Sequence, residues 1–398
     1  MRMLLITNLY PPQELGGYGR CMADFCWGLM RRGHQVQVLC NDASYLGAAA
    51  EIGPSGEPVA RQLLLRGDFC NGVHLIRDAA QLQCIEKANR EVIHQWLENG
   101  RWDGILLGNL DLLGVELLHW ILEKGSPVLH HVGFVHPPYP IDHQPRTSRY
   151  VLLAASAAVR SNLCKEGINA AEAPIIYPGA RTDRFGPGTT DRLLPETPCQ
   201  RANKPLHLCF AGLLMESKGP HTLLEAIVLL HQKGYPIRAS LAGGHFQKSY
   251  VEAMQVYCAD NNIDHFITFH KQLSRDQLAR FFRLHHAAVF PSIHPEAFGI
   301  VAVEAMASGL ALLSSAVGGA AEVFEHNTSG LGFEAGNPNS LAAQIERLFK
   351  EPGLLRMLQE NGMERARNRL DVGRSARQIE AIISQIATAS EHSGIQHF

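Results

Sequence analysis

AVFPSIHPEAFGIVAVEAMASGLALLSSAVGGAAE, residues 288–322 of a 398-residue chain, decides how the rest is read. The apolar run Ala287 to Phe290 predicts a short buried strand, and Pro291-Ser292 and Pro295 force a turn after it. Gly299 to Ser308, rich in Ala, Met, Val and Glu, predicts a helix that stops at Gly309. A strand, a tight loop and a helix in that order leave several amides unpaired and set the positive end of a helix dipole at Phe298-Gly299. Such a terminus suits a phosphate. Glu296 lies in the loop and Glu304 eight positions later. Carboxylates repel phosphate, so their natural targets are hydroxyl groups. A ligand with phosphate in the middle and hydroxyl-bearing rings at both ends fits, which describes a sugar nucleotide. The plainer alternative makes Glu296 a helix cap and Glu304 a solvated face residue. Gly318-Gly319, with Glu322 beyond, predicts a second strand-to-helix turn where glycine lets backbone approach a ligand.

The string PSIHPEAFGIVAVEAMASG (291–309), followed by GGAAEVFEHNTSGLGF (318–333), resembles the donor-site signature of the retaining glycosyltransferases of family 4. The resemblance implies an α/β chain of the GT-B fold, two Rossmann-like domains facing each other across a cleft. It implies transfer of a sugar from a nucleotide-diphosphate donor to a hydroxyl acceptor with retention, UDP-sugar favoured and GDP-mannose open. Glu296 would then hold donor-sugar hydroxyls, Glu304 the ribose hydroxyls, and Ala297, Phe298, Gly299 and Ile300 with Lys218 the diphosphate. AGLLMESKGPHTLLEAI (211–227) is similar to the donor-phosphate loop, which gives Gly212 and Lys218 that role. Where the family carries an arginine after the glycine, this chain has Leu213. Arg20 or Lys271 is the expected substitute cation.

GGYGR (16–20) follows a predicted first strand, MLLIT at 3–7; its spacing alone fits a tight turn as well as a ligand loop. The resemblance puts Gly16, Gly17 and Arg20 beneath the donor phosphates. HHVGFVHPPYPIDH (130–143) holds four histidines at spacings that match no helix-borne zinc pair. The family has a histidine at the end of this strand, near the donor sugar and hence the reaction centre, where the strict equivalent here is Gly133; His131 and His136 are the candidates. No two aspartates stand two apart, so a metal-independent reaction without cofactor is expected, the leaving phosphate helping to deprotonate the acceptor.

Length predicts more than one core. Strand-like runs at 35–40, 73–76, 104–107, 127–132 and 150–154 alternate with helical patterns at 84–98, 112–123 and 157–166, with a polar excursion at 43–72. A second alternation starts at His207 and carries helices at 219–233, 249–259 and 274–284. The expected organisation is an acceptor-side domain at 1–180, a linker at 181–204 and a donor domain at 205–371. The last segment, 372–398, carries an amphipathic helix that the resemblance sends back to the first domain. A net charge of −2 gives no general attraction to nucleic acid or anionic lipid. Expected partners are therefore the donor and a sugar, lipid-linked or small-molecule acceptor, with peripheral membrane contact left open. Nine cysteines without a Cys-x-x-Cys spacing argue for a reducing, cytoplasmic setting. The opening MRMLLITNLYPP reads as a strand rather than a leader, and no apolar run reaches membrane-spanning length. Two alternatives remain at this stage: another GT-B enzyme such as a nucleotide-sugar epimerase or phosphorylase, and a catalytically weak binding protein, which Leu213 makes thinkable.

Overall fold

Met3, Leu4, Leu5 and Ile6 are all fully buried in β1 (Arg2–Ile6), as a strand covered on both faces requires. The structure, a computed structural model, describes residues 1–70, 72–186, 204–244 and 248–394. They divide into two units, Met1–Pro178 with the segment from Val372 onward, and Gly179–Asp371. Residues 187–203, most of the expected linker, lie outside the described residues.

In the first unit β1 leads through a glycine loop to α1 (Tyr18–Met30) and β2 (Gln35–Asn41), then to β3 (Val59–Leu63). A small antiparallel hairpin, β4 (Gly67–Asp68) and β5 (His74–Leu75), precedes α2 (Ala79–Asn99). β6 (Gly104–Leu107), α3 (Glu116–Glu123), β7 (Val128–Val132), β8 (Tyr150–Ala154) and α4 (Ala157–Lys165) follow. The sheet is parallel throughout, in the order β3-β2-β1-β6-β7-β8.

The second unit repeats this plan. After a short turn of helix, α5 (Thr182–Phe185), come β9 (Leu206–Ala211), α6 (Pro220–Gln232), β10 (Ile237–Ala242), α7 (Lys248–Asp260) and β11 (Ile267–His270). They are followed by α8 (Arg275–Phe282), β12 (Ala287–Phe290), α9 (Ile300–Ala307), β13 (Ala311–Ser314), β14 (Leu331–Gly332), α10 (Pro338–Lys350) and α11 (Leu354–Arg369). Its parallel sheet has the order β11-β10-β9-β12-β13-β14. α12 (Val372–Gly394) returns to the first unit and packs along α1. A Cβ on Gly28 would lie 2.7 Å from the Ala376 Cβ, and Glu380 pairs with Arg32 and with His34.

In both sheets the strand order reverses once, between β1 and β6 and between β9 and β12. Loops leaving the carboxyl ends of those two strands diverge to opposite sides and leave a crevice. Among the described residues no helix is long and apolar enough to cross a membrane.

Several local expectations change. The excursion at 43–72 contains β3, whose Arg61 donates to the carbonyls of Tyr10, Pro11 and Ala50 and so ties the loops around it together. The strand expected at 73–76 belongs only to the small hairpin. α2 begins at Ala79 because Asp78 caps it, accepting from the Gln81 amide at 2.7 Å. α3 begins at Glu116 rather than 112, because Leu112 (φ +61°) and Gly114 (φ +91°) hold left-handed backbone.

Candidate functional site

The reversal between β9 and β12 brings together the loops 212–219 and 291–299. Gly212 receives the close approach of a second glycine loop: a Cβ on Gly243 would fall 1.7 Å from the Gly212 carbonyl oxygen. Gly219 (φ +64°) lets that chain turn into α6 against Pro291, whose carbonyl a Cβ would meet at 2.1 Å. The Ile293 amide donates to the Ser217 carbonyl at 2.9 Å, so the two loops are bonded backbone to backbone.

This packing delivers Lys218 to Glu296. The Lys218 Nζ lies 2.6 Å from Glu296 Oε1, and Ser292 Oγ donates to the same oxygen at 2.6 Å. Glu296 Oε2 has no hydrogen-bond partner among the described residues. The Glu296 backbone is held by a third loop: its amide donates to the Val317 carbonyl at 3.2 Å, and its carbonyl accepts from the Gly319 amide at 2.7 Å. Gly318 (φ +63°) makes that contact feasible, since a Cβ there would sit 2.5 Å from the Glu296 carbonyl oxygen. Gly318-Gly319 thus reaches the site as expected, but it opens a single turn of 3-10 helix at Gly319–Glu322 rather than a longer helix.

α9 starts at Ile300 with Gly299 (φ +108°) as its N-cap. Phe298 is buried, while Ala297, Gly299 and Ile300 are half-buried at the helix entrance. Glu304 is not a solvated face residue. It is fully buried, and its Oε1 accepts from the Arg275 guanidinium at 3.1 Å. Arg275 opens α8 and lies over the Phe185 ring, 5.5 Å from its centroid. Lys271 is exposed on the loop after β11.

The first-unit candidates are placed differently. Gly16 (φ +70°) turns the loop and Gly17 caps α1. Arg20 is salt-bridged to Glu14 at 2.9 Å with both side chains mostly buried, so it is no spare cation. His131 is fully buried: its Nε2 lies 2.9 Å from the Ile176 carbonyl and its Nδ1 3.1 Å from the Tyr18 hydroxyl. Burial pushes its pKa down to about 4, so the ring is neutral and serves the core rather than open solvent. His136 lies exposed on the loop beyond β7. Gly133 has a steric reason to be glycine, because a Cβ there would fall 1.9 Å from the Tyr18 ring.

Residues that the motif did not reveal are Ser292, Arg275 and Tyr18. Ser292 precedes Glu296 by four positions and was readable as a donor. The Arg275 pairing spans 29 positions and carries no local signal.

Residues 199–365 match the family described as glycosyl transferases group 1. The group 1 segment thus covers the strands and loops that build the Lys218–Glu296 site. An uncharacterised glycosyltransferase of Methanocaldococcus jannaschii is 29% identical over 154 residues, 39% of this chain and 38% of that one. A D-inositol 3-phosphate glycosyltransferase of Streptomyces griseus is 28% identical over 201 residues, 46% of this chain and 42% of that one. The chain thus spans under half the length of these curated relatives. Among solved structures, a glycosyltransferase of Rickettsia africae superposes with a TM-score of 0.78 at 16% identity, covering 97% of this chain and 98% of that one. Anabaena HepE, solved with UDP and glucose, gives 0.74 at 19% identity, covering 97% and 100%. With two parallel α/β units of equal plan, the fold is GT-B, two Rossmann-like domains. Among the described residues no three His, Cys, Asp or Glu side chains gather as metal ligands.

Proposed function

We propose that this chain is a glycosyltransferase that moves a sugar from a nucleotide-diphosphate donor to a hydroxyl acceptor, with retention and without a metal ion. The observation that carries this reading is the Lys218–Glu296 pair at the β9/β12 reversal, beside the N-terminus of α9. Without donor, the two charges satisfy each other. An incoming diphosphate is the stronger partner for Lys218, because it brings about two negative charges and meets the α9 amides at the same time. Lys218 then turns to phosphate, and Glu296, still held by Ser292, turns its carboxylate to the hydroxyls of the donor sugar. Glu304, paired with Arg275 at 3.1 Å, is the group for the ribose hydroxyls. Charge that develops on the departing diphosphate is met by Lys218 and the helix terminus.

UDP is the favoured base, consistent with the UDP bound to the HepE structure, and GDP is the alternative. The expected setting is cytoplasmic. The test is calorimetric titration of the chain with UDP, GDP and ADP in EDTA, followed by turnover assays with the sugars of whichever nucleotide binds. Binding of one nucleotide in EDTA supports the donor site and its independence of metal; no binding to any of the three overturns the reading. A second reading, nucleotide-sugar binding without transfer, is favoured by Leu213. No cation stands at that position, and Arg20 and Arg275 are each committed to a glutamate. Nucleotide binding without turnover across neutral and charged acceptors would select it.

A further inference from the structure

Two side chains hold the Glu296 carboxylate, Lys218 and Ser292, and an incoming diphosphate draws the first of them away. Glu296 then depends on Ser292, whose hydroxyl donates to Oε1 at 2.6 Å. Ser292 itself sits past the end of regular structure. The ladder between β12 and β13 closes with the Phe290–Ser314 pair, and Pro291 turns the chain away from it. The Ser292 carbonyl lies beyond the last ladder bond, in a residue only 1% exposed, and receives no backbone amide among the described residues. A buried carbonyl needs a partner. Ser315 supplies it: the Ser315 hydroxyl donates to the Ser292 carbonyl at 2.6 Å, and the Ser315 amide donates to the Phe290 carbonyl at 3.1 Å. One residue thus staples both ends of the Phe290-Pro291-Ser292 turn.

The backbone directly after Ser315 is strained. Ala316 has φ +55°, a left-handed conformation that non-glycine residues avoid, and its amide donates to Ser314 Oγ at 3.1 Å. Such strain persists only where the surroundings over-determine a loop. The turn carries the Val317 carbonyl to the Glu296 amide at 3.2 Å, so the segment after β13 grips the 292–296 loop at both of its ends.

We propose that Ser315 is a positioning residue of the donor site: by fixing the Ser292 carbonyl it aims the Ser292 hydroxyl, and so holds the Glu296 carboxylate toward the donor sugar once Lys218 has turned to phosphate. The proposal rests on the glycosyl-transfer reading and deepens it by naming what keeps Glu296 in place during the exchange. The competing hold on this loop is the Ser217 carbonyl, which accepts from the Ile293 and His294 amides at 2.9 and 3.4 Å. Ser217 immediately precedes Lys218, in the loop that answers the diphosphate. Ser315 instead continues β13, every residue of which is buried in the sheet. A group anchored to the sheet keeps its direction when the neighbouring loop responds to ligand.

The test is a double-mutant cycle at Ser292 and Ser315 on the full chain, with kcat and KM for UDP-glucose and calorimetric UDP affinity measured for each variant. Ser292→Ala should lower kcat by about 10- to 100-fold, the value of a lost hydrogen bond to a charged group. Ser315→Ala should lower kcat by about tenfold, with UDP affinity within about twofold of the unaltered chain. Ser315→Thr keeps the hydroxyl and should recover most of that loss. Without the Ser292 hydroxyl there is nothing left for Ser315 to aim, so the double variant should match Ser292→Ala to within about twofold. Unchanged kcat in Ser315→Ala, losses that multiply in the double variant, or a fall in UDP affinity as large as the fall in kcat overturns the proposal. Crystal structures of the unaltered chain and of Ser315→Ala add a readout that needs no activity. The Ser292–Glu296 contact should be present in the first and broken in the second; its persistence in Ser315→Ala overturns the proposal. Absence of UDP binding by the unaltered chain sinks the donor assignment instead, and the structural comparison still decides whether Ser315 places Ser292.

Discussion

Lys218 and Glu296 compete for partners, and that competition has a sign. Glu296→Gln removes the carboxylate that neutralises Lys218, so bare UDP should bind as well as or better than before while sugar transfer falls. Lys218→Ala should weaken UDP by about 10- to 100-fold, the value of a lost hydrogen bond to a charged group. Calorimetry on both variants, with turnover measured alongside, checks the pair; weaker UDP binding in Glu296→Gln would contradict the exchange. Arg275 and Glu304 form the second coupled pair, both largely out of water. Removing either takes a buried charged partner from the other, so Arg275→Ala and Glu304→Ala should each cost roughly 2–4 kcal/mol in urea unfolding. The double variant should lose clearly less than the sum. Additive losses would show that the two side chains do not depend on each other.

At the level of elements, the stretch from β12 into α9 was legible because its determinants are local: a β run, two prolines, and a glycine before an alanine-rich helix. Much of the alternation of strands and helices was legible for the same reason. β3 was not, because Val59-Ala60-Arg61-Gln62-Leu63 is polar at its middle positions and becomes a strand by pairing with β2, a partner some twenty residues earlier in the chain. α10 and α11 went unread although Asn337, Pro338 and Ser340 form a recognisable start, the Asn337 side chain accepting from the Ser340 amide at 3.0 Å. The two glutamates were visible in the chain, but the burial of Glu304 was not, since its partner is distant in sequence. Gly318→Ala tests whether the third loop sets the Glu296 position. The added Cβ collides with main chain and the φ is unfavourable, so about 1–3 kcal/mol of stability should be lost. UDP-sugar turnover should fall further than UDP affinity. Unchanged turnover would remove the third loop from the site.

Taken whole, the molecule hides titratable histidines in both units. His130 and His131 in the first unit have pKa values pushed down by burial to about 3 and about 4, and His285 in the second to about 4. Unfolded, each would titrate near 6.5, so the unfolded chain binds more protons below that pH. Their stabilising contribution is complete above about pH 6.5 and is lost as pH falls toward 4, by up to about 1.4 kcal/mol per pH unit per histidine. Urea unfolding at pH 7.5, 6 and 5 should show midpoints that drop with acid, and His131→Phe should flatten the drop. Finally, residues 179–371 form one uninterrupted guest segment between the two parts of a host. The guest's ends are already stitched together, with the Ala180 amide on the Leu370 carbonyl at 2.8 Å and Thr182 Oγ1 on Asp371 at 2.5 Å. The host's cut ends meet as well, Ser375 Oγ donating to the Tyr177 carbonyl at 2.6 Å. The guest can therefore be excised, and the host resealed by joining 178 to 372. The excised piece, carrying Lys218, Glu296 and Glu304, should retain nucleotide affinity without transferring sugar, and grafting guests between hosts becomes a route to recombining donor and acceptor choice.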